Sequence, residues 1–233
     1  MEEIIRNKEY RLYILDGHGT CCSDDSRPVH SMTIPQNVVL ERDACVDMVL
    51  LVMPGVSCDV KLDVRLAGEG AQANIYGAYV CGGEEKVKIS VDMHHDLPHC
   101  NSRQLFKGIA GGTSRVDFYG KIIVAQDAQR TEAYQENHNI LLSDGAKVDT
   151  KPQLEIYADD VKCSHGATIG RLNEEEQFYM RSRGITLEDA KVLQMISFIA
   201  PVLEQLPEAD REAVAGQMED AIREIVKREM SQI

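Results

Sequence analysis

The chain has 233 residues, enough for one sizeable domain with a small appendage. Its 25 Lys and Arg against 38 Asp and Glu give a formal net charge of −13, which argues against a nucleic-acid backbone or an anionic membrane surface as partner. Hydrophobic residues make up 43%, but aromatics only 5% and Trp is absent, so Val, Ile, Leu and Ala must fill the core, which suits thin stacked β-layers.

The chain opens on Met1-Glu2-Glu3, acidic where a secretory leader is basic. No apolar run approaches the ~20 residues that span a bilayer, so no membrane insertion is expected. The seven cysteines are Cys21, Cys22, Cys45, Cys58, Cys81, Cys100 and Cys163. An odd count without a leader predicts free thiols in a reducing cytoplasm, and the lack of a CxxC pair argues against a zinc ribbon.

Short β-rich runs follow at residues 11–15, 47–52, 60–66, 74–80, 86–91, 114–119, 121–124 and 153–157. They are separated by turns such as Met53-Pro54-Gly55, Gly68-Glu69-Gly70, Gly82-Gly83, Gly111-Gly112 and Ser143-Asp144-Gly145. The run Val60-Lys61-Leu62-Asp63-Val64-Arg65-Leu66 puts apolar residues on one face and charges on the other. This pattern predicts a mainly β fold and leaves sandwich, barrel and solenoid open. Ala128, Ala146 and Ala167, each after a polar turn, favour the solenoid, whose coils need small residues at their corners.

The period changes near residue 172, which divides a β core (residues 1–172) from a helical subdomain (173–233). Asn173 is the expected N-cap of a first helix, with Glu176 reaching back as in a capping box and Gly184 ending it. A second helix starts at Thr186-Leu187-Glu188-Asp189, and Pro201 is expected to kink or end it. Pro207 marks the next boundary, and a last helix runs from about 208 to 229. Its stripe of Val214, Met218, Ala221, Ile222 and Ile225 must be buried against this chain or a partner.

Two constellations could carry chemistry. The first is His94-His95-Asp96-Leu97-Pro98-His99-Cys100, three imidazoles and a thiol that could ligate a transition metal or iron. A solvated loop at a strand end is the plainer reading, since His94 and His95 in a strand point to opposite faces. A cupin-like metal enzyme using His94, His95 or His99 with a carboxylate is the enzymatic alternative; it needs those ligands to converge inside a barrel. The second is Asp159-Asp160-Val161-Lys162-Cys163-Ser164-His165-Gly166-Ala167-Thr168. If that run is extended, Cys163 and His165 share a face. They could bind a soft metal or nascent cluster, form a nucleophile–base pair, or be a core thiol and a turn-capping imidazole. GxSxG and Walker A sequences are absent, so no ATP is expected on this chain and no ATP hydrolysis by it, and nothing in the sequence supports a flavin. Adjacent Cys21 and Cys22 are poorly placed for one metal, and Asp24-Asp25 reads as a solvated loop.

The stretch KPQLEIYADDVKCSHGAT at 151–168 resembles the signature of the SufB/SufD family of iron–sulfur cluster assembly proteins, in its SufD version. Supporting matches, in the family's order, are PHCNS at 98–102, LFKG at 105–108, GKIIV at 120–124, Gln135 with NILLS at 139–143, and FYMRSRGI at 178–185. Residues 1–91 are similar in general character only. The resemblance implies a right-handed parallel β-helix (a β-solenoid) whose C-terminal helices, residues 173–233, dock the SufC ATPase. It implies a non-catalytic scaffold subunit that pairs through its β-helix edge with a SufB-type paralogue or, as a homodimer, with itself. His165, with Cys163 beside it, is by resemblance a ligand of iron or of a transient iron–sulfur cluster at that interface, and His99 and Cys100 are lesser metal candidates. The SufB scaffold cysteine falls at Ala146 here, which places the chain on the SufD side. Family members carry an N-terminal helical region, whereas the β-pattern here begins near Tyr10, so a short form is expected. The rival without chemistry is a ligand-free adaptor for the ATPase.

Overall fold

A computed structural model describes residues 2–16 and 34–231; Cys21, Cys22, Asp24 and Asp25 lie outside the described residues. The described chain forms β1 (Glu2–Ile5), β2 (Lys8–Leu15), β3 (Asn37–Leu40), β4 (Cys45–Val52), β5 (Cys58–Leu66) and β6 (Gln72–Cys81). It continues with β7 (Lys86–His95), β8 (Asn101–Ala110), β9 (Arg115–Val124), β10 (Glu132–Leu141), β11 (Lys147–Ile156) and β12 (Lys162–Gly170). Three helices follow, α1 (Glu174–Ser182), α2 (Leu187–Leu203) and α3 (Glu208–Met230).

Every strand pairs in parallel with the next but one. The odd strands form one sheet in the order β1-β3-β5-β7-β9-β11, and the even strands a second, β12-β10-β8-β6-β4-β2. The chain therefore winds as a parallel β-solenoid of about five turns, neither a closed barrel nor a sandwich. The register Gln72↔Asn101, Asn101↔Glu132 and Glu132↔Lys162 advances about 30 residues per turn.

Stacking at this period forces each corner to repeat. Asp43, Gly70, His99 and Arg130 all have positive φ, between 57° and 74°. Each donates its backbone N–H to a carbonyl of the following turn: Asp43 to Glu69, Gly70 to Pro98, His99 to Gln129 and Arg130 to Asp160. The next residues, Ala44, Ala71, Cys100 and Thr131, are fully buried and small, because the chain reverses into an even strand there. Ala128 and Ala146 do sit at buried corners, but on different ones, and Ala167 lies within β12. At the corner that carries the positive-φ column, the alanines are Ala44 and Ala71, on successive turns. Gly68 has no alternative at its corner: a Cβ there would lie 1.9 Å from the backbone nitrogen of Arg42.

The interior changes character along the axis. Early turns are filled by Val46, Met48, Leu62, Val64 and Ile75, with Phe106 stacked on Phe118 at 4.8 Å. Later turns bring polar side chains inward. Tyr79, Asn137 and Asn139 hydrogen-bond one another, Gln135 donates to Gln104, and His95 Nε2 meets Ser102 Oγ at 2.9 Å.

The helices lie on the outer face of the even-strand sheet. Leu12, Val49, Leu51, Ala78, Val80 and Ile109 of that face pack in one cluster with Met195, Ile199, Val214, Met218, Ile222 and Ile225. The apolar stripe of α3 is therefore buried within this chain. Glu229 near the end of α3 accepts the Gly112 N–H at 2.7 Å, tying the helix to a stacked corner. Asn173 caps α1 through the N–H groups of Glu175 and Glu176, and its amide, rather than its backbone N–H, meets the Glu176 carboxylate. Gly184, at φ +89°, closes that helix. Pro201 does not end α2, which continues to Leu203.

Two outcomes follow from this packing. Gly68→Ala should lower the unfolding free energy by about 3 kcal/mol, whereas Gly166→Ala on β12, where a Cβ meets nothing within 4 Å, should change it by no more than about 0.5 kcal/mol; urea unfolding of both variants checks this. His95 is 1% exposed, and burial, with a smaller contribution from His94, pushes its imidazole down to about 4. Between pH 6.5 and 4 the unfolded chain takes up a proton that the native interior refuses, so stability falls as pH falls, by up to roughly 3 kcal/mol from this group. Comparing urea unfolding at pH 7.5 and 4.5, His95→Gln should show a smaller loss than the parent; an equal loss would contradict the assignment.

Candidate functional site

The run holding Cys163 and His165 is extended and forms β12, the last strand of the even sheet. Its register sets where each side chain points. Cys163 continues the column Ala73–Ser102–Ala133, and His165 continues Ile75–Gln104–Gln135. The inner members of both columns are buried in the interior, so Cys163 and His165 share the inward face of the terminal rung. Among the described residues, no further strand pairs with β12, nor with β11 on the opposite sheet. The interior is thus open at this end, and its rim carries the thiol and the imidazole.

The two side chains differ in surroundings. Cys163 is half-buried against the core; burial pushes its thiol up, partly opposed by a hydrogen bond with the Ala133 backbone. A neutral thiol is therefore its resting form, and a metal would have to displace the proton. His165 is exposed. Across the opening, β11 turns Val148, Thr150, Pro152 and Leu154 inward, none of them a strong ligand for a soft metal. Around the opening Ile156, Tyr157 and Ile169 are exposed at 40%, 63% and 46%.

The residues of the other constellation diverge. His94 points outward and lies 3.3 Å from Asp63, while His95 points into the interior against Ser102. His99 occupies the positive-φ position of its corner. Cys100 is buried, raised in pKa by that burial, and donates its thiol to the Gly68 carbonyl at 3.2 Å. Three imidazoles on three sides of a solenoid wall do not converge, and no barrel encloses them, which overturns the cupin-like alternative. His99 and Cys100 belong to a corner at least two strand spacings, roughly 10 Å, from the terminal rung. Among the described residues, no group of three or more His, Cys, Asp or Glu could hold a metal ion. Cys163 and His165 thus share one face of the terminal rung as two donors with no third such residue grouped with them among the described residues.

Sequence reading passed over two features of this region. One is the inward amide file of Gln104 and Gln135 leading to His165, hidden because polar residues at inward positions erase the apolar alternation. The other is the outward aromatic pair Phe178 and Tyr179 on α1, exposed at 72% and 60%. Their neighbours Asn173 and Gly184 announced the helix, but nothing local distinguishes its outward face from its packed one.

Comparison with known proteins agrees with this geometry. The family model for the SufBD core domain of the SUF system of FeS cluster assembly matches residues 23–198. The iron-sulfur cluster assembly protein SufD of Escherichia coli is 40% identical over 170 residues, covering 73% of this chain and 40% of the relative. The SufBD family protein slr0076 of Synechocystis is 47% identical over 110 residues, covering 47% of this chain and 24% of the relative. The chloroplastic protein ABCI7 of Arabidopsis thaliana is 40% identical over 145 residues, 62% of this chain and 30% of that one. The chain therefore spans less than half the length of the curated relatives it matches. No described helix is long and apolar enough to cross a membrane. With a two-sheet parallel solenoid, its CSHGAT run on the open terminal rung and a family match over residues 23–198, the chain belongs to the SufBD core-domain family of the SUF iron–sulfur cluster assembly system.

Proposed function

We propose that this chain is a non-catalytic, SufD-like scaffold subunit. Its open terminal rung joins a SufB-type paralogue or a second copy of itself, and Cys163 and His165 supply part of the ligand set for a nascent cluster or iron at the join. The observation that carries the reading is that a thiol and an imidazole lie on one inward face of a rung whose two edge strands have no partner strand among the described residues. An unpaired strand edge is a template for pairing with another chain. The two edges are unequally guarded. β11 carries outward Lys147, Asp149, Lys151 and Glu155 and contains Pro152, which removes an edge donor. After Lys162, β12 turns Ser164, Gly166, Thr168 and Gly170 outward, without charge. This favours β12 as the joining strand, bringing His165 to the seam.

The exposed Phe178, Tyr179 and Leu193 favour α1 and α2, within residues 173–233, as the surface for a SufC-type ATPase. Tyr179 and Leu193 line a groove with Ile140, Met180 and Phe198, and Phe178 lines a second one with Leu142 and Met195; the two share Arg171 and Leu172. Aromatic side chains left in water beside such a groove are the usual anchors of a protein interface. The helix α3 serves the core instead, so its removal would test folding rather than docking.

Anaerobic reconstitution with iron and sulfide, on this chain with its partner chains, tests the ligand reading. His165→Ala should lower the iron retained by the complex about tenfold or more. Unchanged retention would leave the adaptor role alone standing. Separately, Phe178→Ala combined with Tyr179→Ala should weaken ATPase binding about 30-fold while leaving the circular dichroism unaltered. Calorimetric titration with the ATPase reads this, and unaltered affinity would move the docking surface elsewhere.

A further inference from the structure

Among the described residues, the polar side-chain atoms buried without a partner include four in the interior of the later turns: His95 Nδ1, Gln104 Nε2, Gln135 Oε1 and Thr150 Oγ1. Gln135 stands apart by its position. It lies on β10, is 1% exposed, and sits directly under His165 in the column Ile75–Gln104–Gln135–His165. One strand spacing, about 4.8 Å, separates the two backbones. The amide is anchored from the inner side, because Gln135 Nε2 donates to Gln104 Oε1 at 3.0 Å. Across the interior it lies against Gly120, where even a Cβ would come within 2.3 Å of Nε2. The amide thus fills the width of the interior, and its oxygen is left as an acceptor without a donor. The next side chain outward in the same column is an imidazole, which when neutral carries one N–H to give and one lone pair to keep.

We propose that Gln135 is a positioning residue for His165: its Oε1 accepts one ring N–H of His165, fixing the neutral tautomer and turning the other nitrogen's lone pair toward the open end. The inference rests on the reading of His165 as a ligand and deepens it. A ligating imidazole needs its second nitrogen held by an acceptor, which sets both ring orientation and tautomer. Here the acceptor comes from inside the solenoid, and Gln104 in turn holds the acceptor. A Gln135 amide facing the other way would offer N–H to His165 and occupy the lone pair that a metal requires.

The test needs no metal, so its failure is distinct from failure of the cluster reading. Ring-¹⁵N-labelled full-length protein is studied by long-range proton–nitrogen correlation at pH 8.5, where imidazole in water is neutral, and the His165 signals are identified by their loss in His165→Ala. The parent protein should favour a single tautomer, with the ratio falling about tenfold in Gln135→Met, an unbranched replacement that fills the same space. Gln104→Met, which removes only the anchor, is the second variant and should reduce the ratio severalfold; it is read alone if Gln135→Met does not fold. A His165 tautomer ratio that is the same in the parent and in the folded variants would overturn the proposal. So would ring shifts in the parent that mark His165 as accepting, rather than donating, a hydrogen bond at its inner nitrogen.

Discussion

The structure depends on one constraint, the in-register stacking of parallel strands at about 4.8 Å. A chain that winds once every 30 residues or so must repeat its backbone conformation at every corner, or the ladder of N–H and C=O groups breaks. The column Asp43, Gly70, His99 and Arg130 is the result: four unlike side chains with one left-handed backbone conformation, each giving its N–H to the following turn. The small column behind it, Ala44, Ala71, Cys100 and Thr131, is the steric consequence. Residue type then matters less than rung and column. His99-Cys100 and Cys163-Ser164-His165 look alike as a histidine near a cysteine. The first pair is spent on a corner inside the stack, and the second ends two inward columns where the stack stops.

The same stacking explains why the interior becomes polar toward that end. A closed turn is covered on both sides by neighbours, and apolar residues such as Val64, Val91 and Ile75 fill it without cost in hydrogen bonds. Ser102, Gln104, Gln135, Asn137 and Asn139 occupy the turns beneath the open rung. Buried amides are tolerable when they satisfy one another, as the Tyr79–Asn137–Asn139 set does. The atoms left unpaired, His95 Nδ1 and the two glutamine amide atoms, mark where the network is incomplete within this chain. Polar matter collects near the half-buried thiol and the exposed imidazole, where apolar filling would face water.

This division also decides what could be read in advance. The strands β5 and β7 were legible because their inward residues are apolar and most of their outward ones charged or polar, as in Val60-Lys61-Leu62-Asp63, and β4 and β6 as β-rich runs whose outward Val49, Leu51, Ala78 and Val80 pack under the helices. β9 was legible as two pieces, broken at Gly120, whose missing side chain makes room for Gln135. β8 and β10 escaped pattern reading because Gln104, Gln135, Asn137 and Asn139 stand where the alternation needs apolar residues. The face shared by Cys163 and His165 was legible as soon as the run was taken as extended. Its position at an open end was not, because local sequence does not state that a strand is the last in its sheet. Helix caps at Asn173 and Thr186 were legible from side-chain chemistry that acts within three residues. Which stripe of α3 is core was legible, but the outward setting of Phe178 and Tyr179 depends on α2 and on the sheet beneath it.

A terminal rung with two donors has a definite chemical consequence. An iron–sulfur cluster asks for about four thiolate or imidazole ligands, and the β11 side of this opening offers Thr150, Pro152 and Leu154. On the proposed ligand reading, one chain alone would hold such a cluster weakly, by an exposed imidazole and a thiol that burial keeps protonated. A second chain laid along β12, as proposed, would change three things together. It would pair the free backbone groups, cover Ile169 and the interior opening, and lower the water content around any metal held there. Added ligands and lost water would strengthen binding in the joined state, and separation of the chains would weaken it again. A site completed by assembly and undone by separation suits a cargo that must be built and then surrendered, and a complete four-ligand site within one chain would not.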